Sequence, residues 1–452
     1  MSSKAQAKLA IVRQLIERAS DSVVRSLEQA LVSSSGGPYN AATEALCEMI
    51  AQERRIRRTQ SVVFAPVIAP FVRRPRMLPT LQYPPETLKV LWRELKELQG
   101  PLLERAVAAV AADASGHESY VVFDEVCAAA ATVLDTGEAP NAVALVANLP
   151  GGVAQLSQLL RLAPSLRGVI PRLDGWLRNL NGDNVASVRL AFKDSAVICD
   201  DGGLLMMEIL CAQLQEPWQI LRLISAVMDH PADSFVAISE LAPFGERIMA
   251  DVGARIDALK RFDPVQGPEA GRAAAVSIAI AVQEIGEFEQ WFKLSRDSVW
   301  GKRIFEMKRN LAAGVEARLK EVEPSVAQAL PLATKPFGGK SLRAPAKLVE
   351  DPSTAAVFKA DGLLAFMDGV RSSASAGGYG SYRIKVMEAL DERLDHYTED
   401  LIDRLLTDAG RGGPPVERVR AYLEIAARFV AQVRDPKAAD IIRRRSASAQ
   451  AA

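Results

Sequence analysis

Arginine spacing supplies the most distinctive chemistry in this chain. Arg54, Arg55, Arg57 and Arg58 stand before the segment Ser61–Val72, and Arg73, Arg74 and Arg76 stand after it. Between them lie Phe64 and Phe71 with valine, isoleucine and proline. A guanidinium is a planar fork of donors suited to phosphate or carboxylate. Beside apolar side chains, such forks suit an anionic membrane surface, nucleic-acid phosphates or the groove of a protein partner. The internal alternative is an extended strap whose apolar residues lie along the chain's own helices while the arginines pair with the acidic middle of the chain. Lys340 and Arg343, in the loop Phe337-Gly-Gly-Lys-Ser341, are a second basic contact surface. That loop ends like a phosphate loop but has Thr334 where the leading glycine belongs and no preceding strand, so nucleotide binding is not assigned to it.

Other reactive residue types are sparse. His396 precedes Asp400 by four residues in LDERLDHYTEDLID, beside Glu392 and Glu399. One helical face holds both, but a metal would need ligands from another helix, and Arg393 and Arg404 can neutralise the acids. His117 and His230 belong to no ligand spacing. Asp200-Asp201-Gly202-Gly203 lacks the ligand series of a calcium loop and reads as a turn between helices. No serine stands in a nucleophile elbow. Cys47, Cys127, Cys199 and Cys211 are far apart without a CxxC pair, which suits reduced, packed thiols. No catalytic residue, metal ligand or cofactor is assigned. Phe288, Trp291, Phe292, Trp300 and Phe305 gather around one expected turn and read as core between two helices.

The elements that position these residues are expected to be helices throughout. The chain of 452 residues is 49% hydrophobic and 24% charged with no net charge, as in an ordinary globular protein. Its charge is uneven: residues 1–80 carry +6, residues 434–446 carry +3, and the remainder carries −9. The start is too charged for a secretory signal, and the longest apolar run, Ala273–Val282, is about half a membrane span. A cytoplasmic protein without a transmembrane segment is the expectation.

Apolar steps of three and four residues recur through the chain, with no sustained alternation to suggest strands. Residues 1–60 read as a helical hairpin, with a coiled-coil-like stripe of Leu9, Val12, Ile16, Ala19, Val23, Leu27 and Leu31. Residues 61–85, with prolines at 66, 70, 75, 79, 84 and 85, read as an extended connector. A central bundle of short helices occupies 86–266 and a pair of long helices 267–330. A basic Pro/Gly linker follows at 331–352, then a helical hairpin region at 353–435 and a basic tail at 436–452. In the hairpin, Met387, Leu390, Leu394, Tyr397, Leu401 and Leu405 face Val416, Val419, Leu423, Ala426, Val430 and Val433 across the GRGGPP turn. The fold class is all-α, an elongated multi-helix assembly. The function this supports is a scaffold or adaptor that binds a protein partner or its own copies. The alternatives are association with nucleic acid or an anionic membrane through Arg54–Arg76, or a helical enzyme with an acidic or histidine site.

Overall fold

Proline, glycine and capping side chains cut this chain into helices of modest length. In the computed structural model, the described residues are 11–17, 19–33, 41–72, 81–112, 117–228, 232–333, 344–348, 350–407 and 415–451. Among them there is no strand, only the isolated bridges Ala232–Lys293 and Leu332–Ala346. The fold is all-α, and none of the described helices is long and apolar enough to cross a membrane. The chain divides into two compact units, Met1–Val227 and Met228–Ala452. The division falls inside residues 86–266, which the sequence groups together.

The first unit begins with α1 (helical over 11–17), α2 (Asp21–Ser33) and α3 (Ala41–Val63). The single stripe expected across these first helices is interrupted. Ser20 accepts a hydrogen bond at Oγ from Val23 N (3.3 Å) and so caps a new helix. This resets the helical phase: Ile16 and Val24 turn inward onto Ile50, while Val23 and Leu27 turn outward. α4 (Thr87–Leu98), α5 (Gly100–Ala111), α6 (His117–Asp135), α7 (Pro140–Val146), α8 (Gly152–Arg161) and α9 (Ala163–Val169) follow. α10 (Leu173–Arg178), α11 (Gly182–Ile198), α12 (Gly202–Gln213) and α13 (Ile220–Val227) complete the unit. Leu91, Leu95, Val126, Leu156 and Leu159 are fully buried in it. Glu94 of α4 joins this core to α7 by accepting from Asn141 N (2.8 Å) and Ala142 N (3.0 Å), two amides that a helix start leaves unpaired.

The connector expected to be extended over 61–85 is largely helical where it is described. α3 continues to Val63, and two 3-10 turns follow at Ala65–Val67 and Ala69–Phe71. Each turn begins Ala-Pro. Proline is compatible with the first turn of a helix because no internal acceptor is waiting for its missing N–H. Prolines four residues apart therefore restart a helical turn twice instead of abolishing it. Residues 81–84 carry no regular structure.

The second unit comprises α14 (Asp233–Val236), α15 (Ala242–Arg261), α16 (Pro268–Trp291), α17 (Val299–Lys320), α18 (Val322–Ala329), α19 (Thr354–Gly369), α20 (Gly380–Thr407), α21 (Val416–Val433) and α22 (Pro436–Ala451). α19 is apolar around most of its circumference and forms the centre, with Ala360, Leu363, Leu364, Phe366 and Met367 all sealed from solvent. It crosses α16 at glycine: a Cβ on Gly271 would lie 2.1 Å from Gly362 O. α20 and α21 form an antiparallel pair with the two expected stripes buried except at their ends, where Met387 is half-buried and Val416 exposed. Arg434, just past α21, reaches back to Asp391 (2.7 Å) and Asp395 (2.6 Å) in the middle of α20.

Two C-terminal segments differ from expectation. The linker expected to be an exposed basic stretch at 331–352 is, in its described part, held down: Ala346 and Leu348 are buried. Proline denies it a helix, so its backbone finds partners elsewhere. Ala333 N donates to Pro345 O and Lys347 N to Pro331 O, both at 2.8 Å. The tail expected at 436–452 is helical over Pro436–Ala451. Pro436 opens it, Asp435 caps it by accepting from Ala438 N (2.8 Å), and Ala439 and Ile442 seat it.

Candidate functional site

The arginine segment splits into a buried half and a charged half. Val63, Phe64, Val67 and Phe71 are at most 4% exposed. Phe64 stands edge-on to Trp92 (5.9 Å, 83°), and Phe71 stacks on Tyr83 (5.1 Å, 25°). Arg167 of α9 closes the end of α3 by donating to Val63 O (3.0 Å) and Val62 O (3.3 Å) while its Nε bonds Asp124 (3.1 Å). No spacing in the sequence marks Arg167 for this role, because the carbonyls it caps lie about a hundred residues away. The two phenylalanines proposed as partner contacts are thus core side chains, and their apolar area is already spent inside the unit.

The charged half lies on α3 beneath α1 and α2. Arg57 joins them. Its Nη2 donates to Ile16 O (3.0 Å) and Ala19 O (2.9 Å), its Nη1 to Asp21 (2.5 Å) and its Nε to Glu53 (2.6 Å). Arg54 pairs with Glu28. Arg55 is exposed and Arg58 half-buried. The acids that answer Arg54 and Arg57 come from residues 1–80, not from the acidic middle of the chain. Burial acts to raise the Asp21 carboxyl, but its hydrogen bond from Arg57 and the charges of Lys89 and Arg57 outweigh that and hold it below 3.8. Beside Arg57 a cleft of about 530 Å³ opens between α1, α3 and α4. Arg57, Lys89, Arg93 and Lys96 line it against Glu17, Glu53, Glu86 and Glu97, so its lining carries no net charge. Arg73, Arg74, Arg76, Lys340 and Arg343 lie outside the described residues, as does the whole 337–341 loop.

His396 and its acidic neighbours act on the chain itself. His396 Nε2 lies 2.7 Å from Ala344 O, and Asp400 accepts from Ala346 N (2.8 Å). Arg404 donates to Ala346 O (2.8 Å) and pairs with Asp400 (3.1 Å). One face of α20 thereby clamps the segment 344–348. The Asp200–Gly203 segment is the expected turn, with Asp201 in the left-handed region (φ 56°) and Gly202 so close to Ser195 O that a Cβ would sit 1.9 Å from it. Phe288, Phe292 and Trp300 pack together with centroids 5.6–6.0 Å apart, and Trp300 donates to Glu246 (2.8 Å). Burial pushes the Cys127 thiol up to about 12 and also raises Cys199. Among the described residues, no group of three or more His, Cys, Asp or Glu could hold a metal ion.

Exposed apolar residues mark the first two helices, and periodicity misplaced two of them, Val23 and Leu27, on the inward stripe. Ile11 (59% exposed) and Leu15 (64%) form an i,i+4 pair on α1, and Val23 (48%) and Leu27 (39%) form another on α2. The inward residues of these helices form, among the described residues, a small cluster of Ile16 and Val24 with Ile50 of α3, and Val12, Ala19, Leu31, Leu46 and Met49 are partly buried around it. No protein-family model, curated protein or solved structure matches this chain.

Proposed function

We propose that the protein is a helical scaffold or adaptor that holds a protein partner on the outer face of α1 and α2. The observation that carries this reading is the pair of exposed apolar steps, Ile11/Leu15 and Val23/Leu27, on two helices whose inward residues form a small cluster of their own. An amphipathic helix from a partner would cover both steps and extend that cluster, the usual use of apolar anchors at i and i+4. Arg57 supports the reading by fixing α1 and α2 to α3, so that the face is presented in one arrangement. A second copy of the chain is one such partner. Replacement of Leu15 or Leu27 by a photo-crosslinking amino acid, followed by illumination in cells, tests the proposal. The expected result is a discrete protein adduct that disappears when Ile11 and Val23 are changed to Glu. An adduct at twice the chain mass identifies self-association. Absence of any adduct, or one indifferent to those changes, overturns the proposal.

A further inference from the structure

The second unit carries a groove of about 540 Å³ between α20 and α22. Ile402, Leu406 and Ile441 form its floor, and Arg444, Arg445 and Ser448 stand along one wall. Leu406 is 54% exposed and Ile441 51%, while Ile402 is buried. On α22, positions 441, 444, 445 and 448 follow helical spacing, so Ile441 and the wall residues share one face of that helix. The other face of α22 shows what its arginines bind when an acid is within reach. There Arg443 is held by Glu424 of α21, through Nη2 at 2.7 Å and Nε at 3.1 Å, and by Asp440 at 3.2 Å. Arg444 has, among the described residues, a main-chain contact, Nε to Asp440 O (3.3 Å). Among the described residues, neither Arg444 nor Arg445 has a carboxylate partner.

We propose that this groove docks an amphipathic helix of a partner protein that carries Asp or Glu beside its apolar stripe. The floor selects leucine- or isoleucine-sized side chains, and the volume accommodates roughly two or three of them from successive turns of a helix. The two guanidinium groups, without a carboxylate partner among the described residues, select carboxylates, which they bind as planar forks. The same wall opposes a basic helix, because like charges across an interface reject the wrong partner. An aromatic platform for nucleic-acid bases is absent from the lining residues. The inference rests on the scaffold reading but uses a surface in the other unit, so the two fail separately.

The test uses the full chain and synthetic helical peptides of about 14 residues, long enough for four turns. One peptide has leucine at positions i, i+3 and i+7 with glutamate flanking them, and its counterpart replaces each glutamate by lysine. Fluorescence anisotropy should show the acidic peptide binding about tenfold or more tightly than the basic one. The Arg444→Glu/Arg445→Glu variant should reverse that order, and Leu406→Glu should abolish binding of both. A variant with Ile11→Glu and Val23→Glu should leave peptide binding unchanged, which separates this groove from the α1–α2 face. Equal binding of the two peptides, or no reversal in the charge-swapped variant, overturns the proposal. So does phosphatidylserine-vesicle sedimentation that needs Arg444 and Arg445 in a protein that binds neither peptide. Reversal of the preference is itself proof that the variant folds.

Discussion

Replacing Arg57 by alanine should release α1 while leaving the rest of the protein folded. The side chain is 12% exposed and spans three helices, so it has few solvent contacts to fall back on. Its two bonds to Ile16 O and Ala19 O cap a helix end, where carbonyls lack a following turn. Hydrogen bonds from a charged donor contribute about 1.5–3 kcal/mol each before relaxation, and the pairs with Asp21 and Glu53 add about 1 kcal/mol or less. Water can replace part of this once the side chain is gone, which leaves a loss of about 2–4 kcal/mol for α1. Opening of α1 should then become roughly 30- to 1000-fold more frequent. Hydrogen exchange read by mass spectrometry would show faster labelling over residues 11–33, with residues 268–291 of the second unit unchanged as internal reference. The confinement follows from Ile16, Val24 and Ile50 being a cluster of their own. Acid should reproduce part of the effect. Because Asp21 has a lowered pKa, its contribution is complete above 3.8 and is lost as pH falls through the lower folded value. The alanine variant should lack that acid-dependent step. Unchanged exchange over 11–33 in the variant would refute the clasp.

Three further outcomes follow from packing and burial. Phe64→Ala should destabilise the first unit by about 3–5 kcal/mol, because a fully buried ring leaves a cavity against Trp92; a denaturant midpoint equal to wild type would show Phe64 to be a surface residue after all. Gly271→Val should force α16 and α19 apart, since even a Cβ would meet Gly362 O at 2.1 Å. The expected cost is about 3 kcal/mol, or roughly 6–12 °C in the Tm of the second unit, and a calorimetric shift under 1 °C or so would contradict it. Asp361, buried beneath Arg428 (2.6 Å) and Gln432 (3.0 Å), has its carboxyl raised by burial, which outweighs those two partners. Between 3.8 and that raised value the folded chain holds the extra proton, so this group makes stability fall as pH rises through the window. Asp361→Asn should flatten that slope, as read from urea midpoints at stepped pH, and should change neutral-pH stability by about 1 kcal/mol or less.

How far the sequence reaches is clearest at three places. The stripes of α20 and α21 needed only three- and four-residue spacing, because each residue's face on a helix follows from its position along that helix. The Asp200–Gly203 turn was legible for a similar reason: a helix end and a left-handed residue are local chemistry. The segment 61–85 was misread because proline is ambiguous. It stops a helix from within but is compatible with starting one, and the Ala-Pro repeat at 65 and 69 uses the second property. The phase break at Ser20 was equally local, a capping serine inside an apolar rhythm that looked continuous.

What no local rule supplies is the partner of a charge on another helix. Arg54, Arg57, Arg443 and Arg444 are the same residue in similarly basic surroundings, each on a helix. Arg54 is answered by Glu28, Arg57 by two main-chain carbonyls and two acids, and Arg443 by Glu424; Arg444 has, among the described residues, a main-chain oxygen. A guanidinium reaches several ångströms from its helix, so its partner depends on which helix lies opposite. Helical content and the inward faces of the long helices are written in local spacing. Which arginines are used up inside the protein, and which are left to meet something else, was decided only when the helices packed.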